Sequence, residues 1–177
     1  MNTKKNCSGG ILNLLSEYKR ALSYAAYIDV LEKNLSLHQL HYKKFVVDSA
    51  AMIKISKFKS VKILVITEPW CSDSLALLPV VKKIAECNNR WDLKALLRDK
   101  NAELMDNYLT NGAKAIPVFL FLNENGELLF RWGPRPRPAV EIFSSHQSLI
   151  NTGKIEKQEV IKKIRIFYAK DRGKTTL

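Results

Sequence analysis

The sequence contains no long apolar run. No stretch approaches the roughly 18 consecutive apolar residues that a membrane-spanning helix requires. Lys4 and Lys5 stand near the start, but the apolar stretch after them is short and is interrupted by Asn13 and Ser16. This is too little for the apolar core of a secretory signal peptide. The sequence therefore predicts neither a membrane span nor a secretory signal, and we expect a cytoplasmic protein.

Cysteine is scarce, with Cys7, Cys71 and Cys87 the only three in 177 residues. Their spacing matches neither a set of metal ligands nor a disulfide framework. An odd and sparse count is typical of a reducing compartment. We expect Cys87 in the core at the end of an apolar helix face and Cys7 in a mobile tail. Three histidines are expected on helix surfaces rather than in a metal site: His38, His41 and His146.

Acidic residues are outnumbered, 17 against 29 basic residues, so the formal net charge is +12. The basic residues occur along the whole chain in short doublets rather than in one block, which favours a solvated cationic surface over a nucleic-acid site. Aromatic and basic residues are not interleaved in the way that stacks single-stranded bases. We also find no internal repeat and no low-complexity tract. Nucleic acid and membrane are therefore not predicted as partners.

What is present is a strand, a tight turn and a helix over residues 61–78, VKILVITEPWCSDSLALL. A β-branched apolar run predicts a buried strand, and apolar residues at helical spacing begin just after Cys71. The first amide groups of a helix lack intrahelical partners, and the helix dipole is positive there. A thiol at this point is expected to have its reactive thiolate form favoured. Cys71 is therefore the candidate functional residue.

The elements that follow predict a mixed sheet. Residues 91–97 are expected as a second strand, residues 101–109 as a short helix, and residues 117–122 and 127–132 as two strands joined by an Asn-rich hairpin turn. The first two strands and their connecting helix form a parallel βαβ unit. The predicted class is α/β, with a central mixed sheet of four to five strands and helices on both faces.

The chain divides into three predicted parts: an N-terminal helical extension over residues 1–57, a central domain over residues 58–150, and a C-terminal helix and tail over residues 151–177. A strand hidden near residues 45–47 is a second possibility within the first part. The segment 133–138 is expected to break all regular structure, because three of its six residues are proline. Helices are expected on either side of residues 151–153.

Two motifs carry a resemblance to a known family. Trp70-Cys71-x-x-Ser74 follows a buried strand, and Ile116-Pro117-Val118 precedes another at the expected distance. Together with the hairpin and Gly133, they resemble the thioredoxin superfamily, and more closely a bacterial thioredoxin-like branch with a Trp-Cys-x-Asp-x site and a Trp-Gly-Pro-Arg-Pro segment. The resemblance covers about residues 61–150 and implies a thioredoxin-like fold.

The resemblance implies roles for individual residues. Cys71 falls at the position of the nucleophile that forms a mixed disulfide, and Pro117 at the position of a cis proline facing it. The family's second cysteine is replaced by Ser74, whose hydroxyl cannot form a disulfide but could hydrogen-bond the sulfur. Substrate contacts are implied for four residues: Trp70, Ile116, Gly133 and Arg135.

The acids around the nucleophile also depart from the family. The superfamily's buried acid, six residues before the nucleophile, is Val65 here, and the nearest carboxylates are Glu68 and Asp73. Negative charge near Cys71 would raise the pKa of the thiol. Asp73 is expected either to take part in catalysis or to stabilise the first turn of the helix.

Two functions follow from these residues. The first is a monothiol (CxxS) thiol-disulfide oxidoreductase that acts on a disulfide-containing protein or a small-thiol mixed disulfide. It needs no cofactor, although a low-molecular-weight thiol could be its co-substrate. The thiol that releases the mixed disulfide on Cys71 is either an external one or Cys7. The second is a non-catalytic thioredoxin-fold module that binds extended peptides by strand addition. A cationic rim of Arg131, Arg135, Arg137 and Lys114 is a further hypothesis, with a solvated loop as its alternative.

Overall fold

The computed structural model describes residues 13–176, apart from the side chain of residue 33. Cys7 lies outside these residues. The described chain forms a five-stranded sheet in the order β1-β3-β2-β4-β5. The strands are β1 (Leu22–Ser23), β2 (Val61–Thr67), β3 (Trp91–Leu97), β4 (Val118–Leu122) and β5 (Leu128–Trp132). β2 and β3 are parallel and the other neighbouring pairs are antiparallel. The predicted mixed α/β sheet is confirmed.

The helices flank this sheet. They are α1 (Leu15–Arg20), α2 (Tyr24–Asp29), α3 (Leu35–Lys44), α4 (Ser49–Ser56), α5 (Ser72–Ala85), α6 (Ala102–Asp106), α7 (Arg137–Ser145), α8 (Gln147–Asn151) and α9 (Lys157–Asp171). Short 3-10 helices occupy Glu32–Asn34 and Arg98–Lys100. No helix among residues 13–176 is both long and apolar enough to cross a membrane.

The central strand β2 is covered on both faces. Ile63 and Val65 pack with α5 and α9 in one apolar cluster, whereas Leu64 and Ile66 pack in a second cluster with residues from the start of the chain and from β4. Successive side chains of a strand point to opposite faces, so a strand buried on both sides needs an unbroken apolar run. An unbroken apolar run is the pattern that predicted β2. Packing on both faces of β2 fixes the position of the turn that follows it.

The N-terminal region differs from the prediction. Residues 13–57 are mostly helical, but Leu22 and Ser23 pair with Ala95 and Lys94 at the edge of the sheet. The possible strand near residues 45–47 is wrong, because that segment links α3 to α4 and lies outside the sheet. A two-residue strand has too few residues to show the alternation that identifies a strand in sequence.

The proline-rich segment, residues 133–138, also differs from the prediction. Helix α7 begins at Arg137, inside the segment that was expected to break regular structure. Pro138 lies in the first turn, where the backbone N–H has no intrahelical partner and its absence costs little. The last residues of the segment therefore start a helix.

Two further expectations need correction. His38 is buried rather than on a helix surface, and its Nε2 lies 2.7 Å from the Tyr24 hydroxyl. Cys87 is only half-buried, since it lies two residues beyond the end of α5, and its thiol donates to the carbonyl oxygen of Lys83 over 3.5 Å. For both residues, the apolar periodicity of the helix does not predict whether the side chain is buried by the rest of the chain.

Candidate functional site

Cys71 lies where β2 gives way to α5. It is the N-cap residue of α5, with extended backbone, and its carbonyl accepts the first helical hydrogen bond from Leu75 at 3.0 Å. A tight turn precedes it, in which the Cys71 amide donates to the Glu68 carbonyl over 3.1 Å. The backbone of this turn is set by β2 on one side and by α5 on the other. Cys71 therefore stands at the amino end of the helix, as expected.

The segment facing Cys71 is the approach to β4. The thiol donates to the carbonyl oxygen of Ile116 over 3.5 Å, and the Ile116–Pro117 peptide is cis. The Gly133–Pro134 peptide is also cis. Gly133 has φ of +109°, and a Cβ atom there would lie 2.3 Å from the Pro117 carbonyl oxygen. Only glycine fits this close approach, which brings residue 133 against Pro117 on the segment that faces the thiol.

The electrostatics of Cys71 differ from the expectation of a favoured thiolate. The side chain is only 8% exposed and belongs to an apolar cluster with Ile116 and Ile66. Burial first, and then the charge of Asp73, raise the pKa of the Cys71 thiol above its ordinary value. The amide groups of Asp73 and Ser74 act in the opposite direction, as the helix terminus predicts, but they do not prevail. In this conformation Cys71 is a protonated, shielded thiol.

Ser74 lies one turn along α5 and is completely buried. Its hydroxyl acts to lower the pKa of Cys71, but within residues 13–176 its Oγ has no partner at regular hydrogen-bond geometry. A buried hydroxyl without a partner is costly, and such groups are uncommon away from functional positions. The Ser74 hydroxyl is therefore close to the thiol and is free to form a hydrogen bond with it.

Asp73 belongs to a buried group that sequence analysis did not find. Its Oδ2 lies 2.7 Å from a terminal guanidinium nitrogen (NH2) of Arg135, and its Oδ1 accepts a hydrogen bond of 2.8 Å from the Tyr168 hydroxyl. Burial opposes the charge on Arg135, but the Asp73 carboxylate outweighs it and raises the pKa of the guanidinium. Burial and Asp73 also raise the pKa of Tyr168, which therefore stays protonated as a donor.

This group bears on the predicted roles of two residues. Asp73 does more than stabilise the first turn of α5, because it links α5 to the proline-rich loop and to α9. Arg135 directs its guanidinium at Asp73 and stacks over the Phe143 ring at 4.7 Å, so in this conformation it is not offered to a substrate. Nothing in the sequence could have indicated Tyr168, because it lies on the apolar face of a helix 95 residues away.

The cationic rim does not form. Arg131 donates to the carbonyl oxygens of Tyr108 and Leu109, and Lys114 pairs with Asp106 at 2.7 Å. The exposed Arg137 pairs with Glu141 one turn along α7. With Arg135 on Asp73, these cations are each engaged within the chain. Because Arg135 is largely buried, the alternative of a solvated loop does not describe it either.

Trp70 is the exposed member of the motif. Its side chain is 57% exposed, and the guanidinium of Arg98 lies 4.9 Å from the centre of its ring. The Asn34 side chain donates to the carbonyl of neighbouring Pro69 over 3.0 Å, which ties the turn to the N-terminal region. An exposed indole next to a shielded thiol offers apolar surface to an approaching partner.

Buried polar side chains stand at the end of β2 and in α2. The residue six positions before Cys71 is Val65, so this completely buried position carries no acid. Glu68 is buried as well, and it accepts a hydrogen bond of 2.8 Å from the Asp99 amide. The Tyr27 hydroxyl lies 3.5 Å from Thr67 Oγ1, and burial above all raises the pKa of Tyr27 to about 12.

The fold and the site define a thioredoxin-like protein with one cysteine at the helix amino terminus, opposite a cis proline. A family model described as thioredoxin matches residues 21–150. The chain belongs to this thioredoxin family. The match begins before β1, so it includes most of the region predicted as an N-terminal extension.

Two solved structures are similar to this chain. One is a Pseudomonas aeruginosa protein of unknown function, with 18% identity, a TM-score of 0.65, and coverage of 84% of this chain and 92% of that one. The other is an HIV epitope scaffold, with 18% identity, a TM-score of 0.64, and coverage of 86% and 95%. At this identity the likeness concerns the fold alone. The search of curated proteins gave no match.

Proposed function

We propose that the protein is a monothiol thiol-disulfide oxidoreductase that acts through a mixed disulfide on Cys71. The observation that carries the proposal is the position of the Cys71 sulfur. It lies at the amino end of α5 and 3.5 Å from the Ile116 carbonyl, next to the cis Pro117. A partner strand lying along this segment would bring its disulfide against the sulfur.

The reaction needs one protein thiol and one external thiol. The Cys71 thiolate attacks the small-thiol sulfur of a protein–small-thiol mixed disulfide; a Cys71–small-thiol bond forms, the original S–S bond breaks, and the protein leaves as its thiolate. The proton lost by Cys71 goes to solvent, and the departing thiolate takes one up. A second small thiol, as its thiolate, then attacks the bound small-thiol sulfur, releasing Cys71 and a small-molecule disulfide.

The residues around Cys71 affect the two steps differently. Ser74 cannot resolve the intermediate, because its hydroxyl forms no disulfide, so another thiol must do so, and we assign that role to the external thiol. A raised pKa lowers the fraction of Cys71 thiolate at neutral pH and makes Cys71 a poorer leaving group in the second step. We therefore expect a long-lived mixed disulfide and a rate that increases with pH.

The test uses a glutathionylated protein substrate with excess reduced glutathione. We expect turnover with the wild type and with Cys87→Ala, which alters the half-buried cysteine outside the site, but not with Cys71→Ala. Mass spectrometry should show one glutathione adduct on Cys71 during turnover. Equal turnover by Cys71→Ala and the wild type would eliminate the proposal.

The burial of the sulfur favours a second candidate, a non-catalytic peptide-binding module. Such a module would use the edge near Pro117 and the exposed Trp70 and would have no need of a thiolate. Alkylation of Cys71 by iodoacetamide, measured from pH 6 to pH 10, separates the candidates. Alkylation that becomes faster as the pH rises, together with turnover of the glutathionylated substrate, supports the enzyme. A Cys71 that is not alkylated over this range, with partner capture retained by Cys71→Ser under reducing conditions, supports the module.

A further inference from the structure

A groove separate from the thiol runs between α3, the start of α5 and α9. Its volume is about 440 Å³, which lies within the range of small-molecule sites. Ser72 and Tyr168 form its end nearest the site, but Cys71 is not among its lining residues. The ring of Tyr168 therefore borders the groove while its hydroxyl bonds to Asp73.

The floor of the groove is apolar. It is formed by five side chains from the three helices: Leu37, Leu40, Ala76, Ile166 and Ala169. Leu40 is 44% exposed and Ile166 is 56% exposed, so two large apolar side chains meet water here. Covering them with an apolar ligand body would be favourable because it removes this surface from water.

The rim of the groove is cationic. It carries Lys44, Lys162, Arg165 and Arg172 together with His41, and no carboxylate side chain is among the residues that line it. Within residues 13–176 none of these four Lys and Arg side chains is in a salt bridge, in contrast to Lys114, Arg135 and Arg137. Burial, and then the charges of Lys44 and Arg165, lower the pKa of His41, as expected where positive charge is concentrated.

An apolar floor under an uncompensated cationic rim matches one class of ligand. We propose that this groove binds a small anionic amphiphile, with its apolar chain on Leu40 and Ile166 and its carboxylate or phosphate head against Lys44 and Arg165. The floor supplies affinity through apolar burial, and the rim supplies selectivity for negative charge. A cationic or purely polar molecule satisfies only one half of this surface.

Isothermal titration with sodium decanoate and with decyl phosphate tests the proposal, and the two arms distinguish a carboxylate head from a phosphate head. We expect saturable one-to-one binding of at least one of them, and none of decyltrimethylammonium. Across hexanoate, octanoate and decanoate, each added methylene should strengthen binding by about two- to fourfold, fourfold being the limit of full burial. Cys71→Ala should bind like the wild type, because the groove does not include the thiol.

Variants at exposed positions locate the binding. Lys44→Gln with Arg165→Gln should weaken it about tenfold or more, whereas Lys157→Gln with Lys170→Gln, which removes two charges of α9 outside the groove, should change it less than about twofold. Ala169→Trp should abolish it by filling the groove from an exposed helix position. The proposal is wrong if neither decyl anion saturates, if the cation binds equally well, or if the groove variants bind like the wild type.

Discussion

The Tyr168 hydroxyl donates a hydrogen bond to Asp73 Oδ1 over 2.8 Å. Asp73 stands two residues after the candidate nucleophile and Tyr168 stands in the last turn of α9, so the C-terminal helix is joined to the site. The same carboxylate pairs with Arg135 on the loop before α7. A single buried carboxylate therefore holds together three segments that are distant in sequence.

Tyr168→Phe should destabilise the fold, because the buried Asp73 carboxylate loses one donor and the ring otherwise keeps its packing. A hydrogen bond to a charged group contributes about 1.5–3 kcal/mol, so we expect the free energy of unfolding in urea to fall by about 2 kcal/mol. Tyr42→Phe is the matched control, since its hydroxyl donates to Glu86 on the surface. If both variants lost the same free energy of unfolding, the buried hydrogen bond to Asp73 would stabilise the fold no more than the surface hydrogen bond to Glu86.

Asp73→Asn should lower the pKa of Cys71, because the Asp73 charge is one of the causes that raise it. Iodoacetamide alkylation of Cys71 at pH 7 should become faster. The variant should also be less stable by about 3–5 kcal/mol, because the Arg135 charge stays largely buried without its partner.

Asp106→Asn is the control for this prediction, since it breaks an exposed pair with Lys114. It should change the free energy of unfolding by no more than about 0.5 kcal/mol and leave the alkylation rate of Cys71 unchanged. If alkylation of Cys71 in Asp73→Asn slowed or stayed the same, the carboxylate would not be what suppresses the thiolate.

Ser74→Cys should convert the site into a dithiol. Position 74 is buried and lies one helical turn from Cys71, so a second thiol there could attack a mixed disulfide on Cys71. We expect insulin reduction with a small-thiol reductant to appear or to increase at least tenfold. Ser72→Cys adds a thiol in the same turn but at the wrong position and should gain nothing. Equal behaviour of the two variants would contradict this prediction.

His38 should make stability depend on pH. Burial and the neighbouring His41 lower the pKa of His38 to about 4, from an ordinary value of 6.5. The folded state therefore keeps His38 neutral where the unfolded chain takes up a proton. The stability that the neutral His38 contributes is fully present above about pH 6.5. It is lost as the pH falls towards 4, and the total loss in the free energy of unfolding is about 3 kcal/mol.

Urea unfolding at pH 7, 5.5 and 4.5 measures this effect, with His38→Gln as the reference. The variant removes the titrating ring but retains a polar group beside the Tyr24 hydroxyl. The pKa of His41 is also lowered by burial, so both proteins should lose stability in acid, and the difference between them isolates His38. Parallel pH curves would show that His38 does not titrate on unfolding in this range.

Local pattern was sufficient for the central elements. The predicted strand at residues 91–97 agrees with β3, and the helix expected just after Cys71 begins at Ser72. The strand Leu22–Ser23 was missed because its partner is Ala95, far along the chain, and its two residues carry no period of their own. The burial of His38 was missed because it depends on Tyr24 and Tyr27 from another helix.

The sequence by itself determined the α/β class, the turn that carries Cys71, and the substitution of serine for a second cysteine, because each of these depends on residues that are neighbours in the chain. The tertiary structure alone decided that Cys71 is shielded, that its pKa is raised, and that Asp73 binds Arg135 and Tyr168. These properties depend on solvent exclusion and on charges from remote segments, and periodicity contains no information about which remote segments meet.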